Sequence, residues 1–292
     1  MTGRLALIAG AGALPREIVS QVPEPPFVAA LAGHGPDDLS PDLTFRLEHL
    51  GSVFDTFRSE GVTRLCLAGK VTRPAIDPSA IDAATAPLVP RLTDALRHGD
   101  DGALRALVAI LEEAGFEVIG AGAIAPDLLP APGLLAGAVT EEHVTDAARG
   151  AAIVAALGAA DVGQACIVAA GQALAVEALP GTDWMIRSLL SRQVLPTGPD
   201  PMGLAADWWP GPAALQATRD PGLPPGGLLF KAPKPGQELR VDMPTIGPGT
   251  VRNAAEAGLE GIVIAAGGVL VLERETTVAE AEAAGLFLWV RP

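Results

Sequence analysis

The sequence predicts an α/β protein: a Rossmann-like N-terminal domain with a parallel sheet, followed by a distinct α/β C-terminal domain. Three observations carry that prediction. Short apolar runs of strand length alternate with amphipathic stretches of helix length, the pattern of β-α-β units whose helices cover a parallel sheet. The first run, Arg4 to Ala9 (RLALIA), leads into the turn GAGALP and then a helix over Pro15 to Val22 with proline in its first turn. Proline and glycine cluster from Pro126 to Gly137 (PDLLPAPGLLAG), which marks a boundary. On this reading residues 1–132 are the N-terminal domain, 133–140 a linker and 141–292 the C-terminal catalytic domain.

The other elements follow in order. Apolar strands are expected at Phe27–Leu31, Val62–Ala68 and Phe116–Ile119. Helices are expected over Phe54–Glu60, Arg91–Arg97 and Gly102–Glu113, the last opened by an acidic cap at Gly99-Asp100-Asp101. Beyond the boundary, Glu141–Leu157 reads as a long helix, and Gln164–Ala169 with Ala173–Val176 as a hairpin around Ala170-Gly171-Gln172. A helix is expected over Gly181–Ser191, strands at Gly227–Ala232 and Leu239–Val241, and a helix over Pro248–Ala257. Gly261–Ala265 and Val269–Leu272 read as a second hairpin, and Val278–Ala284 as a last helix. The proline- and glycine-rich stretch Leu195–Gly227, which holds Trp208 and Trp209, is expected to be a long loop or flap.

Composition narrows the function classes. The 292 residues are 49% apolar, enough for two ordinary domains with full cores. The longest weakly polar runs fall short of the ~18–20 residues a membrane-spanning helix needs, and the start of the chain lacks a signal-peptide pattern, so a cytoplasmic location is expected. A formal net charge of −14 and the lack of a basic stripe argue against nucleic acid as partner. Cys66 and Cys166 each sit in an apolar strand-like run and are expected to be buried thiols rather than metal ligands or a disulfide.

Of the 20 basic residues only Lys70, Lys231 and Lys234 are lysines. They mark places that need a compact ammonium rather than a guanidinium fork, or they are chance. Lys231 to Gly247 (KAPKPGQELRVDMPTIG) is the densest group of charged residues, stiffened by three prolines. Its lysines suit phosphate oxygens, and Asp242 suits a divalent ion or the orientation of a water. Gly10 and Gly12 follow a strand and open a helix, where backbone N–H groups can meet an anion; a merely tight turn explains them equally. Pro15 replaces the third glycine of the dinucleotide fingerprint, and no acid closes the second strand, which weakens a nicotinamide reading. Lys70 follows a strand at the edge where α/β sheets bind ligands, as a phosphate or sugar contact or as a solvated loop residue. Gly181, Thr182 and Asp183 start a helix just past Glu177, either as its cap or as a polar cluster facing a ligand and metal.

The blocks IAGAGALP, LAGKVTRP (67–74), GDDGALRAL (99–107), DVGQA (161–165), VEALPGTDWMIR (176–187) and KAPKPGQELRVDMPTIGPGTV (231–251) together resemble the LpxI-type UDP-2,3-diacylglucosamine diphosphatases, in the same order along the chain. The resemblance implies hydrolysis of a lipid-linked UDP-sugar to UMP and 2,3-diacylglucosamine 1-phosphate in lipid A synthesis, in a cleft between the domains. It implies Mg²⁺, with Mn²⁺ as an alternative. It places the family's essential aspartate at Asp242 and the G-T-D motif at Gly181, Thr182 and Asp183. The expected catalytic groups are then Asp242, Lys231 and Lys234. The substrate contacts are Gly10, Gly12, Lys70, Gly181, Thr182 and Thr245, and the metal ligands Asp242 and Asp183. Contact with the inner face of a membrane and a homodimer are further expectations. The sequence departs from the family pattern at Pro180, Ser188 and Glu238, where a glutamate, an arginine and an aspartate are usual. A nicotinamide-dependent oxidoreductase and a non-catalytic lipid or nucleotide carrier are the rival classes.

Overall fold

A computed structural model of the chain describes residues 3–72, 75–95, 99–196 and 213–292. The N-terminal domain contains strands β1 (Arg4–Ala9), β2 (Phe27–Leu31), β3 (Leu43–Phe45), β4 (Val62–Ala68) and β5 (Glu117–Val118). They form one parallel sheet in the order β3-β2-β1-β4-β5. Helices α1 (Leu14–Gln21), α2 (Leu50–Ser59), α3 (Val89–Ala95), α4 (Gly99–Glu113) and α5 (Ala121–Ile124) connect or flank them. Every residue of β2 is buried, as a parallel strand covered on both faces requires. One face packs Phe54, Phe57, Val108 and Leu111 of α2 and α4; the other packs Ile18 of α1 and Ala121 of α5. The predicted α/β class with an N-terminal parallel sheet is therefore the observed one. The three-residue β3 was not anticipated, because its single buried side chain, Phe45, is too little periodicity to read.

The C-terminal domain holds β6 (Gly133–Ala136), α6 (Glu141–Ala159), β7 (Ala165–Ala169), β8 (Gln172–Val176), α7 (Thr182–Arg187), β9 (Leu190–Pro196) and β10 (Ala213–Arg219). It continues with β11 (Leu228–Lys231), β12 (Thr245–Ile246), α8 (Pro248–Glu256), β13 (Gly261–Ala265), β14 (Leu270–Val271), α9 (Arg274–Ala283) and β15 (Phe287–Arg291). A mixed sheet runs β6-β15-β13-β11-β7-β8. Met185, Ile186, Val251, Ala254 and Ala281 from α7, α8 and α9 cover one face; Ala147 and Val154 of α6 cover the other. The β7–β8 hairpin is as expected, with Ala170 and Gly171 at positive φ in its turn. Asp146 of α6 accepts a 2.7 Å hydrogen bond from the Gly171 N–H and ties that turn down.

Four expectations need correction. Residues 133–140, read as a linker, include β6, which pairs antiparallel with β15 at the sheet edge. Leu239–Val241 is a turn rather than a strand: the Val241 and Asp242 amides both donate back to the Glu238 carbonyl. Gly261–Ala265 and Val269–Leu272 do not form a hairpin, because β14 leaves the main sheet and pairs in parallel with β12. The reason is tertiary: Leu270 is buried in the N-terminal domain's core with Leu272 packed beside it. Residues 195–196 and 213–219 of the 195–227 stretch belong to the antiparallel β9–β10 ribbon, so it is not one long loop; Trp208 and Trp209 lie outside the described residues.

Both cysteines are free and buried, as expected, and burial pushes each thiol up to about 12. No helix among the described residues is long and apolar enough to cross a membrane. Phe57 is fully buried and meets Phe27 and Phe116 edge-on at 6.0 and 5.9 Å between ring centroids. Phe57→Ala is expected to cost about 3–5 kcal/mol of N-terminal domain stability, read from the shift of a urea unfolding midpoint.

Candidate active site

Lys231 ends β11, where apolar side chains alternate between the two faces of the sheet. Leu228 and Phe230 point to the α6 face and Leu229 to the α7–α8 face. Period-two alternation therefore puts Lys231 on the α7–α8 side. There its Nζ donates a 2.8 Å hydrogen bond to Thr182 Oγ1, at the start of α7. The Thr182 hydroxyl in turn donates to Glu177 Oε1 at 2.6 Å, and Glu177 Oε2 accepts from the Gln164 N–H at 3.0 Å. Lys231, Glu177 and Gln237 are all buried. Desolvation holds the Lys231 ammonium below its ordinary value, and the charges of Glu177, Asp183 and Asp242 oppose that shift. Three carboxylates thus lie within electrostatic reach of one buried ammonium.

Asp242 comes to this cluster on a turn rather than a strand. Gln237 Nε2 donates to Asp242 Oδ2 at 2.7 Å and to its carbonyl at 2.6 Å. The same amide reaches Gln164 Oε1 at 3.0 Å, and Gln237 Oε1 accepts from the Lys234 N–H at 2.7 Å. Asp183 is exposed on α7, and its Oδ1 accepts from Asn253 Nδ2 of α8 at 2.9 Å. Gly181 has φ 87°, a left-handed value that glycine adopts without strain, and it swings the chain from the exposed 178–180 stretch into α7. Thr245, in β12, is partly buried two residues beyond Met243.

The structure therefore brings together Lys231, Thr182, Asp183 and Asp242 from the expected set. Lys234 takes a different direction: its Nζ pairs with Asp161 Oδ1 at 2.6 Å, just past the end of α6. The turn that carries it packs tightly on that helix end, since a Cβ on Gly158 would lie 2.5 Å from Pro235 Cδ. Gly10, Gly12 and Lys70 form a second group at the C-terminal edge of the N-terminal sheet. The Gly10 N–H donates to the Ala68 carbonyl at 2.8 Å, Ala11 and Lys70 exchange backbone hydrogen bonds, and the Gly12 N–H donates to Asp37 Oδ2 at 2.8 Å. A Cβ on Gly10 would sit 2.6 Å from the Lys70 carbonyl oxygen, so glycine there serves close approach of two loops. The three amides that would cradle a dinucleotide phosphate are paired in this conformation.

Gln164 and Gln237 are the site residues that sequence reasoning did not put forward; Glu177 entered it only as a member of the polar cluster with Thr182 and Asp183. Gln164 and Gln237 lie in blocks that stand out in the sequence, but uncharged amides offer no chemical signal of their own. The pairing of Glu177 with Thr182 lies within that cluster, while its second bond, from the Gln164 N–H, comes from just ahead of the neighbouring strand β7. Glu238, where the family pattern has an aspartate, binds Arg240 through both oxygens at 2.9 and 2.7 Å, and Arg240 also donates to Glu112 Oε1 at 2.6 Å. Arg240 holds the Glu238 carboxyl below its usual range. The residue is thus a link to the N-terminal domain.

Residues 4–128 match the LpxI N-terminal domain model and residues 131–289 the LpxI C-terminal domain model. The chain belongs to the LpxI family. Over 291 residues it is 36% identical to the UDP-2,3-diacylglucosamine pyrophosphatase LpxI of Caulobacter vibrioides, covering 98% of this chain and 96% of that protein. The LpxI domain boundary falls between residues 128 and 131, at the proline-rich stretch ahead of β6.

Burial penalises the charged form of Lys231, so the folded state resists protonating it. The sign follows: between the lowered folded value and the ordinary 10.5 the unfolded chain binds more protons, and stability rises with pH. The parent is expected to gain thermal stability relative to Lys231→Met as pH climbs through that window, and to show a constant difference below it. Melting temperatures of both proteins across alkaline pH check this.

Proposed function

We propose that the chain hydrolyses the diphosphate bond of UDP-2,3-diacylglucosamine by water attack on phosphorus, giving UMP and 2,3-diacylglucosamine 1-phosphate for lipid A synthesis. The observation that carries this reading is the buried Lys231 ammonium, bonded to Thr182 and within electrostatic reach of Glu177, Asp183 and Asp242, in a chain of the LpxI family whose Caulobacter relative bears that activity in its name. The water oxygen joins one phosphorus, and the bridging oxygen leaves with the other phosphate.

Each group has a defined part. Lys231, held by Thr182, faces the phosphoryl oxygens and offsets the negative charge that builds on them. Asp242 either accepts the water's proton or holds a metal ion, with its carboxylate oriented by Gln237. Lys234 is the second expected cation; to act on the diphosphate it must leave Asp161. Gly10, Gly12 and Lys70 are further proposed contacts for the nucleotide or sugar phosphate, and Gly181 and Thr245 for the substrate beside the cluster. For Gly12 this requires Asp37 to be displaced.

The donor set bears on the metal. No group of three His, Cys, Asp or Glu side chains suited to a metal ion occurs among the described residues. Mg²⁺ or Mn²⁺ would accordingly be held by Asp242 and Asp183 together with substrate phosphates and water, all hard oxygen donors, rather than by a full protein cage. When bound, such an ion would polarise the phosphoryl oxygens. Leu179 and Trp184, 95% and 56% exposed on either side of Thr182, support contact with acyl chains at the cytoplasmic face of a membrane. The nicotinamide reading lacks the third glycine of the dinucleotide fingerprint, where Pro15 stands, and an acid at the end of the second strand.

The test is UMP release from UDP-2,3-diacylglucosamine. With Mg²⁺ the parent is expected to turn over, to lose activity in EDTA, and to regain it with Mg²⁺ or Mn²⁺. Asp242→Ala is expected to lower kcat by at least about a hundredfold. An inactive parent removes the enzyme reading; a fully active variant removes Asp242 from the mechanism.

A further inference from the structure

The Asp242 carboxylate is oriented by Gln237, and Gln237 is in turn gripped from the other domain. Asp101, in the first turn of α4, accepts a hydrogen bond from the Glu238 N–H through Oδ1 at 3.3 Å. Its second oxygen pairs with Arg105, one helical turn on. Arg105 Nη1 donates to the Gly236 carbonyl at 3.2 Å. The two peptide units on either side of the Gln237 Cα are therefore both held by α4. Further along the same helix, Glu112 binds Arg240; residues 101, 105 and 112 fall on one helical face. Gln237 is left with its side chain turned inward, where its amide serves Asp242 and Gln164 and its carbonyl is taken by Lys234. A buried amide so fully engaged loses several partners if its backbone shifts.

We propose that the N-terminal domain acts on the reaction through this chain. Gln237 is a positioning residue for Asp242, and the Asp101–Arg105 pair positions Gln237, so the carboxylate is set in place only when α4 is docked on the 236–240 turn. The GDD block at 99–101 then does more than start a helix: one Asp101 oxygen binds the other domain and the second holds Arg105, which binds it too. The kinetic consequence rests on the hydrolase reading above; the structural one does not.

Two measurements decide it. In the first, amide hydrogen exchange is followed across residues 236–242 of the unliganded protein. Asp101→Ala and Arg105→Ala should speed exchange there and leave β11 unchanged. Unchanged exchange at 236–242 overturns the proposal whether or not the protein is a hydrolase. In the second, a double-mutant cycle is run on UMP release. Gln237→Ala is expected to lower kcat about ten- to a hundredfold with KM within about twofold. The isosteric Gln237→Glu, which keeps the acceptor for Lys234 but puts a second negative charge against Asp242, should do no better. Asp101→Ala should lower kcat about tenfold in the parent and have no further effect in the Gln237→Ala background. Multiplying effects, or a raised KM at unchanged kcat, would mean that Asp101 merely holds the domains together, and overturn the proposal. A parent that releases no UMP sinks the hydrolase reading alone, and the exchange result then stands as the decision.

Discussion

A lysine ammonium taken out of water must keep charged or hydrogen-bonding partners, because an unpaired buried charge costs several kcal/mol. Lys231 is that group here, and the arrangement of the C-terminal domain's polar residues follows from it. Thr182 has to reach it from α7, which is why the chain turns at Gly181. Glu177 has to turn inward past β8, where it takes both the Thr182 hydroxyl and the Gln164 amide. Asp183 and Asp242 add negative charge from α7 and from the turn after residue 237. The charge of the ammonium is thus offset inside the domain by carboxylates from three separate segments.

The second organising feature is how Asp242 is carried. Its neighbours Val241 and Met243 pack against the two separate core clusters of the N-terminal domain, while Asp242 itself bonds to Gln237. Leu270 is buried in one of those clusters. The Glu273 N–H adds a 2.6 Å hydrogen bond to Glu17 of α1. The segment that carries Asp242 is thus built by the C-terminal domain and seated by the N-terminal one. Close approach is part of the fit: a Cβ on Gly120 would lie 3.0 Å from Arg240 Cα.

Much of this was legible from the residues because local chemistry and tertiary role agree. The alternation of apolar runs and helices reflects burial of a parallel sheet on both faces, and β2 is fully buried as that demands. Proline in the first turn of α1 and the glycine in the β7–β8 turn report backbone angles directly. Where reading failed, a distant contact had won. The 269–272 run has the composition of a hairpin arm, yet Leu270 finds its burial in the other domain. Lys234 and Lys231 are three residues apart and look like a pair, yet Asp161 draws one of them to the end of α6. Gly10 and Gly12 look like a phosphate cradle, while Gly10 is needed for the crossing with Lys70.

By itself the sequence determined the fold class, the family, the density of charge in 231–247 and the identity of Asp242 as the residue to examine, since each of these is written in local pattern or in motif order. Only the tertiary structure decided that Glu177, Gln164 and Gln237 belong to the same cluster, that Glu238 clamps Arg240, and that Asp101 reaches across to the 236–240 turn. These are contacts between residues up to 137 positions apart. Nothing in a neutral amide or a lone carboxylate announces its partner, and hydrogen-bond geometry exists only once the chain has folded around it.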